Sequence, residues 1–577
     1  MDLIERTRFA MRHYMTTHPD RKTPLGRRGH FDLPIVPAPR YLEGCQWSDG
    51  DLTARALDAW MFSRRITGDY ETGAEVEAEQ YRYFRNLIDP KTGLIFVPMH
   101  SEPNRPGVYT HMWDQCRGIR HMTNRLALGY GGHTEEVREL LWKMLNGCVR
   151  LSCTVPGENG EPARYWQTDT YVDGRPIDKT ADYGETNFVD FAIVSALLLT
   201  PVVKFYRITG EEKLLTLARE LANGFLSGLE KRRESTRPMI GADGAFYGHF
   251  HTCANGLTGL TDLAAELYRV GDPARARELL STVERAYRWA LSETNLNRGS
   301  SCGWFPESTA HSVCDASELC CTADMIELAA AMTEAGELIP GFEHLQAICG
   351  DAERFTKNEL FAMQILKPEQ LLAFIPRQDA AEFQKLLPLF LGGWAASRSW
   401  LCDFLRHYDG VPDLTTIGCC LYSGQRGFYA CQQAMVKETE DRVLFRFAGS
   451  YESERVYARE RPEGGMILRL SEDRTVDLRI PAYVEKDSVR VISDGIGVTV
   501  ECSQRMVRFR ARANRSYEVM WTVMKWTARE TVGKVNDGSI RDAKTGERIC
   551  FTLCYEGSRL AEVTPKEGAF IPFEKGL

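Results

Sequence analysis

The stretch from Phe188 to Phe225, FVDFAIVSALLLTPVVKFYRITGEEKLLTLARELANGF, decides the fold class. Apolar residues recur at helical spacing from Phe188 to Tyr206 and again from Lys213 to Phe225. Between the two runs stands Ile208-Thr209-Gly210-Glu211. Glycine can take the left-handed conformation that ends a helix, and an acidic residue suits the start of the next. The unit is therefore read as helix, short turn, helix.

The same unit recurs on either side. Ala54 to Arg65 runs through Ile66-Thr67-Gly68-Asp69 into Ala74 to Phe84, and Leu260 to Arg269 runs through Val270-Gly271-Asp272 into Ala274 to Leu291. Such pairs repeated over roughly 400 residues predict a toroid of paired helices, an (α/α) barrel. A stacked solenoid is the alternative, but the repeat has no fixed length. Val155 to Glu185 and Asn295 to Val313 read as irregular loops at the barrel mouth. Past Val436 the period changes to two. Arg442 to Phe447, Gly465 to Leu470, Val476 to Ile480, Met506 to Arg512 and Ser516 to Trp521 alternate or run apolar between Gly, Asp and Asn turns. They predict an antiparallel β-sandwich that buttresses the barrel. The expected division is 1–436 for the barrel, 437–526 for the sandwich, and 527–577 for a segment packing on the barrel or on a partner subunit.

The chain has 577 residues, enough for a large core and more than one domain. A net charge of −8 with no basic block argues against nucleic acid as a partner. No apolar run reaches membrane-spanning length; Ala192 to Leu199 is the longest and reads as a buried helix segment. The start shows no secretory pattern, and the seventeen cysteines then suit free thiols in a reducing cytoplasm. A conspicuous cysteine in that setting points to metal binding or catalysis rather than to a bridge.

Two segments are conspicuous. Ala316-Ser317-Glu318-Leu319-Cys320-Cys321 and Gly418-Cys419-Cys420 lie about a hundred residues apart. Glu-x-Cys with an adjacent cysteine pair offers one oxygen and three sulfurs, a plausible tetrahedral set for Zn²⁺. Ordinary structural sites are Cys-rich or Cys/His, so this mixed set suggests that one thiolate has chemistry to do. Cys321, Cys314 and Cys302 are nearby substitutes, Cys321 being the nearest rival to Cys320.

The run Cys419-Cys420-Leu421-Tyr422-Ser423-Gly424-Gln425-Arg426-Gly427-Phe428-Tyr429 resembles the Cys-Cys-x-x-x-Gly-x-Arg signature of glycoside hydrolase family 127 and its relatives. Glu318-Leu319-Cys320 resembles that family's Glu-x-Cys. Trp47-Ser48-Asp49-Gly50-Asp51 resembles its early Trp-Asp-Ser-Asp segment, and Leu478-Arg479-Ile480-Pro481-Ala482-Tyr483 resembles its Leu-Arg-Ile-Pro-x-Trp. The order agrees over nearly the whole chain. The resemblance implies a mainly α protein, an (α/α)6 barrel followed by a C-terminal antiparallel β-sandwich, with retaining β-L-arabinofuranosidase activity. It further implies that Glu318, Cys320, Cys419 and Cys420 bind zinc and that Cys419 is the nucleophile. Zinc would hold the thiol ionised, and a second group must protonate the leaving oxygen and then activate water. Glu307, in Trp304-Phe305-Pro306-Glu307, is the acid/base candidate, although it lies nearer to Glu318 than the family pattern has it. Glu185 is the reserve, with Asp182 behind it.

Sugar contacts are expected from His251 and His249, from His111 with Trp113, and from Trp47, Tyr422 and Trp304. The family's Gly-His-x-x-Glu helix start is replaced here by Arg117-Gly118-Ile119-Arg120-His121, which alters a hydroxyl contact. Relatives pair through added C-terminal segments, so residues after Trp526 are the candidate contact for a homodimer. The resulting expectation is a cytoplasmic, exo-acting, retaining glycosidase releasing β-L-arabinofuranose or a similar sugar from a small oligosaccharide or glycoside. The alternatives are the same mechanism on another furanose or deoxy sugar, a metal-independent barrel uronide hydrolase or epimerase, and non-enzymatic carbohydrate binding.

Overall fold

Gly210 has φ +68° and ends one helix, and Gly271 has φ +88° and ends another, as the turn chemistry requires. Asp272 then caps the following helix by accepting the Arg275 N–H at 3.3 Å. Glu211 and Asp69 do not cap. Glu211 reaches Arg138 and Trp142 across the barrel wall, and Asp69 closes its own turn onto Glu71 and Thr72. An arginine partner and a local turn outcompete the cap at those two positions.

A computed structural model of the chain describes residues 1–16, 22–23, 26–27, 33–34, 49–96, 109–157, 160–172, 174–176, 193–230, 238–292, 301–306, 318–368, 390–395, 415–416, 418–531 and 550–564. The helices are α1 (Leu3–Thr16), α2 (Asp49–Thr67), α3 (Ala74–Asn86), α4 (Met112–Ala127), α5 (Thr134–Val149) and α6 (Val194–Thr209). They continue with α7 (Glu212–Ser227), α8 (Phe250–Arg269), α9 (Pro273–Ala290), α10 (Leu319–Leu338), α11 (Cys349–Phe355) and α12 (Gly418–Met435). Helices α2, α4, α6, α8, α10 and α12 each pack on the next, and α12 returns to α2, so the inner ring closes. The others lie outside it: α3 on α2, α5 on α4, α7 on α6, α9 on α8, α11 on α10, and α1 over the α12–α2 seam. The expected (α/α)6 barrel is the fold. Residues 188–192 of the opening stretch lie outside the described residues, and the stretch between Val155 and Glu185 is less irregular than expected. Its described part includes strand Pro162–Tyr165, which pairs with Cys153–Pro156, and strand Thr170–Val172, which pairs with Tyr109–His111.

The sandwich begins directly after α12. Its first sheet is built from β1 (Val436–Glu438), β2 (Arg442–Phe445), β6 (Arg474–Arg479), β10 (Met506–Ala511) and β9 (Glu501–Ser503), in that order. The second has β3 (Tyr451–Glu452), β4 (Val456–Glu460), β5 (Gly465–Leu470), β11 (Ser516–Met520), β7 (Arg490–Ser493) and β8 (Ile496–Gly497). All pairs are antiparallel except β2 with β6. Leu468 opposite Tyr517 and Val476 opposite Phe509 point into one core, while Ile467 and Arg469 point out. A third sheet, β12 (Lys525–Thr531), β13 (Cys550–Glu556) and β14 (Arg559–Thr564), follows. It docks on the chain's own barrel, where Asn358 donates to Ser558 O at 2.8 Å and Leu560 N donates back to Asn358 at 2.7 Å. No helix among the described residues is long and apolar enough to cross a membrane.

Glu353 joins the three parts. It is fully buried and accepts Lys357 Nζ at 2.7 Å, the Tyr483 hydroxyl at 2.7 Å and the Ser558 hydroxyl at 2.8 Å. Tyr483 closes the Leu-Arg-Ile-Pro segment, and Arg479 of the same segment donates to Gln346 O, so that motif anchors the sandwich to the barrel. Glu353→Leu should destabilise the protein by on the order of 3 kcal/mol, because it strips the buried Tyr483 hydroxyl of its acceptor and Lys357 of one of its two carboxylates. Glu353→Gln should cost less. Urea unfolding of both variants checks this, and equal midpoints for Glu353→Leu and wild type would contradict it.

Candidate active site

Glu318 is the N-cap of α10. Its Oε2 accepts the Cys321 N–H at 2.9 Å, and its own N–H is anchored on Phe305 O at 2.8 Å. With one oxygen held by the cap, Oε1 faces Cys420 Sγ at 2.7 Å. Cys419 and Cys420 lie in the first turn of α12, which runs beside α10. The two helices approach closely because Gly427 has no side chain: a Cβ there would lie 3.2 Å from that of Ala323. Cys320 Sγ is then 3.6 Å from Cys420 Sγ, and Cys419 Sγ is 3.8 Å from Cys420 Sγ. One oxygen and three sulfurs, all within 4.8 Å of one another, form a group able to hold a metal ion.

The donor set fits zinc. Ligands at ~2.3 Å with tetrahedral angles place two sulfurs about 3.8 Å apart, against the 3.6 and 3.8 Å found. The oxygen-to-sulfur distance of 2.7 Å is shorter than the about 3.5 Å edge of such a tetrahedron, so this edge would open on metal binding. Two helix N-termini also present their positive ends to the group, which favours thiolates.

The three sulfurs differ. Burial pushes the Cys320 thiol up to about 11 and the Cys420 thiol well above its ordinary range. Cys419 is drawn down, first by hydrogen bonding from Cys320 and then from Cys420, with Arg55 adding to the effect. It is also the one member of the group that is only half-buried. Reachability and ionisation thus coincide on a single sulfur.

Behind the cysteines lies a buried charged network. Arg55 donates to Asp51 at 2.6 Å and to the Ser423 hydroxyl at 3.0 Å, and its Nη1 stands 3.8 Å from Cys320 Sγ. Arg55 and Arg117 both donate to His251 Nε2, so that nitrogen is an acceptor and the ring proton sits on Nδ1, against Asp324. Burial, then the Arg117 and Arg55 charges, hold His251 far below its usual pKa, which keeps the imidazole neutral. Arg426 pairs with Asp324 at 2.6 Å and with Glu327 at 2.7 Å, and Arg120 grips Glu327 with both carboxylate oxygens engaged. Arg55, Asp58, Arg117, Arg120, Tyr422, Ser423 and Arg426 line a cavity with about 300 Å³ of free space, counting the part open to solvent.

The structure brings Glu318, Cys320, Cys419 and Cys420 together as the residue types suggested; Cys321 is not a member of the group. Tyr422 lines the cavity. His251 is in the network, but its ring is committed to two arginines and an aspartate. His249 is buried and bonds the Thr252 hydroxyl at 2.8 Å. His111 faces Asp169 at 3.7 Å. Trp113 lies against His249 and His251, with the Arg117 guanidinium 5.0 Å from its ring centre. Trp304 is fully buried. Trp47, Glu185, Asp182, Glu307 and Cys314 lie outside the described residues. The sequence reading did not single out Arg55, Arg117, Asp324 or Glu327 as site residues. Asp51 and Arg55 stand four apart on one helix, and charges at core-facing positions of α10 were the available signal.

The closed (α/α)6 barrel followed by a sandwich thus carries its Glu/Cys3 group at the N-termini of two inner helices. In fold the chain is similar to a family 127 β-L-arabinofuranosidase from Geobacillus stearothermophilus T6, at a TM-score of 0.53 and 12% identity over 97% of this chain and 80% of that one. A second family 127 β-arabinofuranosidase matches at 0.51 and 13% identity over 97% and 78%, and a further glycoside hydrolase at 0.54 and 11% over 89% and 78%. At such identities the likeness establishes the fold. No protein-family profile and no curated protein matches the chain.

Elemental analysis should distinguish the metal ligands from their neighbour. Cys320→Ser and Cys420→Ser are each expected to lower bound zinc well below one per chain, whereas Cys321→Ser should leave it unchanged. Zinc lost only in Cys321→Ser would reverse the assignment.

Proposed function

We propose that the protein is an exo-acting retaining glycoside hydrolase using Cys419 as nucleophile on a terminal β-L-arabinofuranoside or a similar sugar of a small oligosaccharide or glycoside. The observation that carries this reading is the position of Cys419: half-buried, ionisable, and grouped with Glu318, Cys320 and Cys420 at the barrel mouth. Bound zinc would supply the positive charge that keeps these sulfurs deprotonated near neutral pH. In the first step the Cys419 sulfur forms a bond to the anomeric carbon as the bond to the leaving oxygen breaks. A carboxylic acid gives that oxygen its proton. In the second step the same group, now a carboxylate, takes a proton from water, which displaces the sulfur, and two inversions retain configuration.

We assign the acid/base role to Glu307. Phe305, two residues before it, accepts the Glu318 N–H at 2.8 Å, and this closeness of the described residues to the Glu/Cys3 group supports the choice. The metal-independent alternative would require a free carboxylate pair. Those of the described cavity region are committed: Asp51 to Arg55, Asp58 to His121 and Asn124, Asp324 to His251 and Arg426, Glu327 to Arg120 and Arg426. A cytoplasmic setting suits the thirteen cysteines with described side chains, all of them free thiols.

Cys419→Ala should abolish turnover of nitrophenyl furanosides while leaving the circular dichroism spectrum and melting temperature close to wild type. Glu307→Gln should slow poor leaving groups at least 100-fold more than activated aryl glycosides, with azide restoring part of the latter rate. Substantial activity in Cys419→Ala on a confirmed substrate would sink the thiolate reading.

A further inference from the structure

We infer that the sugar bound at this site carries an anionic group, a carboxylate or a phosphate ester, received by Arg117 inside the barrel. The word sugar rests on the glycosidase reading; the anion site stands on its own geometry.

The described cavity wall presents four guanidinium groups, those of Arg55, Arg117, Arg120 and Arg426, and one carboxylate, Asp58. Three of the arginines are matched. Arg55 holds Asp51 at 2.6 Å, Arg120 holds Glu327 through both oxygens, and Arg426 holds Asp324 and Glu327. Asp58 is occupied by His121 Nδ1 at 2.9 Å and Asn124 Nδ2 at 3.0 Å. Arg117 is the exception. It is 95% buried, with 5% of its surface exposed, and one Nη2 donor goes to the neutral imidazole of His251. Its Nε has no hydrogen-bond partner. The nearby carboxylate oxygen, Asp51 Oδ1, is 3.7 Å from that Nε and is already held by Arg55.

A buried guanidinium without a carboxylate of its own is costly unless something supplies the missing charge. Arg117 is fixed for that purpose, with the Trp113 ring on one side and the His251 ring locked by Asp324 at the end of its Nη2. A planar guanidinium with free donors matches a carboxylate or phosphate in two-pronged fashion. A neutral sugar ring would need acceptors as well as donors for its hydroxyls, and this wall is dominated by donors. The cavity also adjoins the thiolate group, since Arg55 lines it and stands 3.8 Å from Cys320 Sγ. An anion on Arg117 would therefore anchor a sugar next to Cys419. Arg117 and Arg120, three residues apart on α4, both reach this wall.

The test is calorimetric binding to the zinc-loaded full chain and to its Cys419→Ala variant, in chloride-free buffer. The probes are D-galacturonate, its methyl ester, D-galactose and inorganic phosphate. An anionic probe should bind at least tenfold tighter than galactose, and galacturonate tighter than its methyl ester if a carboxylate is the natural group. Phosphate winning over galacturonate would identify a phosphate ester instead. Arg117→Gln should lose the preference, Arg117→Lys should keep part of it, and Cys419→Ala should keep all of it. No preference for either anion in the wild type, or a preference that survives in folded Arg117→Gln, would overturn the inference. The wild-type comparison needs no variant to fold. Cys419-dependent turnover of a neutral sugar without any anion preference would sink only this inference; retained preference with full activity in Cys419→Ala would sink only the thiolate mechanism.

Discussion

Closure of the inner helix ring imposes the constraint from which the site follows. Each outer helix returns the chain, so α2, α4, α6, α8, α10 and α12 run in one direction and bring their N-termini to one mouth. A helix N-terminus carries roughly half a positive charge, and several of them together make a region that favours anions. The groups found there follow that field: Glu318 as a cap, Asp51 in the first turn of α2, and Cys419 and Cys420 in the first turn of α12. Residues about a hundred positions apart meet because α10 and α12 are neighbours in the ring, with Gly427 against Ala323 setting their separation.

The same closure buries charges deeper in the barrel, where pairing must offset their desolvation. His251 sits at the junction. Its acceptor nitrogen takes donors from α2 and α4, and its donor nitrogen faces Asp324 on α10, which in turn holds Arg426 of α12. Four helices besides its own are thus linked through one neutral ring. Arg55 connects this network to Cys320 and Ser423, so a change in the deep network would be felt at the cysteines.

Much of the architecture was legible because periodicity and turn chemistry act locally. Gly210 and Gly271 do end helices, and the change of period after Val436 does mark the first strand of the sandwich. The third sheet was not legible: β12 to β14 lie beyond the regular series, and their docking depends on Asn358, Lys357 and Glu353 far away in sequence. At the site, the cysteine and glutamate group could be read because its ligands come in two short segments. The surroundings of the histidines could not be read in the same way. His251 is committed to a buried network and His249 to Thr252, facts that depend on which helices are neighbours. Arg117 could be seen as a departure from a pattern, but that it only shares Asp51 with Arg55 could not.

The arrangement also bears on the proposed use of a thiol, rather than a carboxylate, as nucleophile. A carboxylate-pair glycosidase needs one group that stays ionised and another that carries a proton near neutral pH. Glu327 stays ionised, but it carries no proton and its oxygens are not free for a substrate. Burial raises its pKa, but Arg120 and Arg426 outweigh that and hold it at about 2, with its oxygens taken up by both guanidinium groups. Asp324 and Asp51 are similarly engaged. Carboxylates that neutralise arginines in the interior are thereby removed from proton transfer and from attack. Within the Glu/Cys3 group, Cys320 and Cys420 are buried while Cys419 is half-buried and drawn toward the thiolate, which is why the proposal puts the attack there.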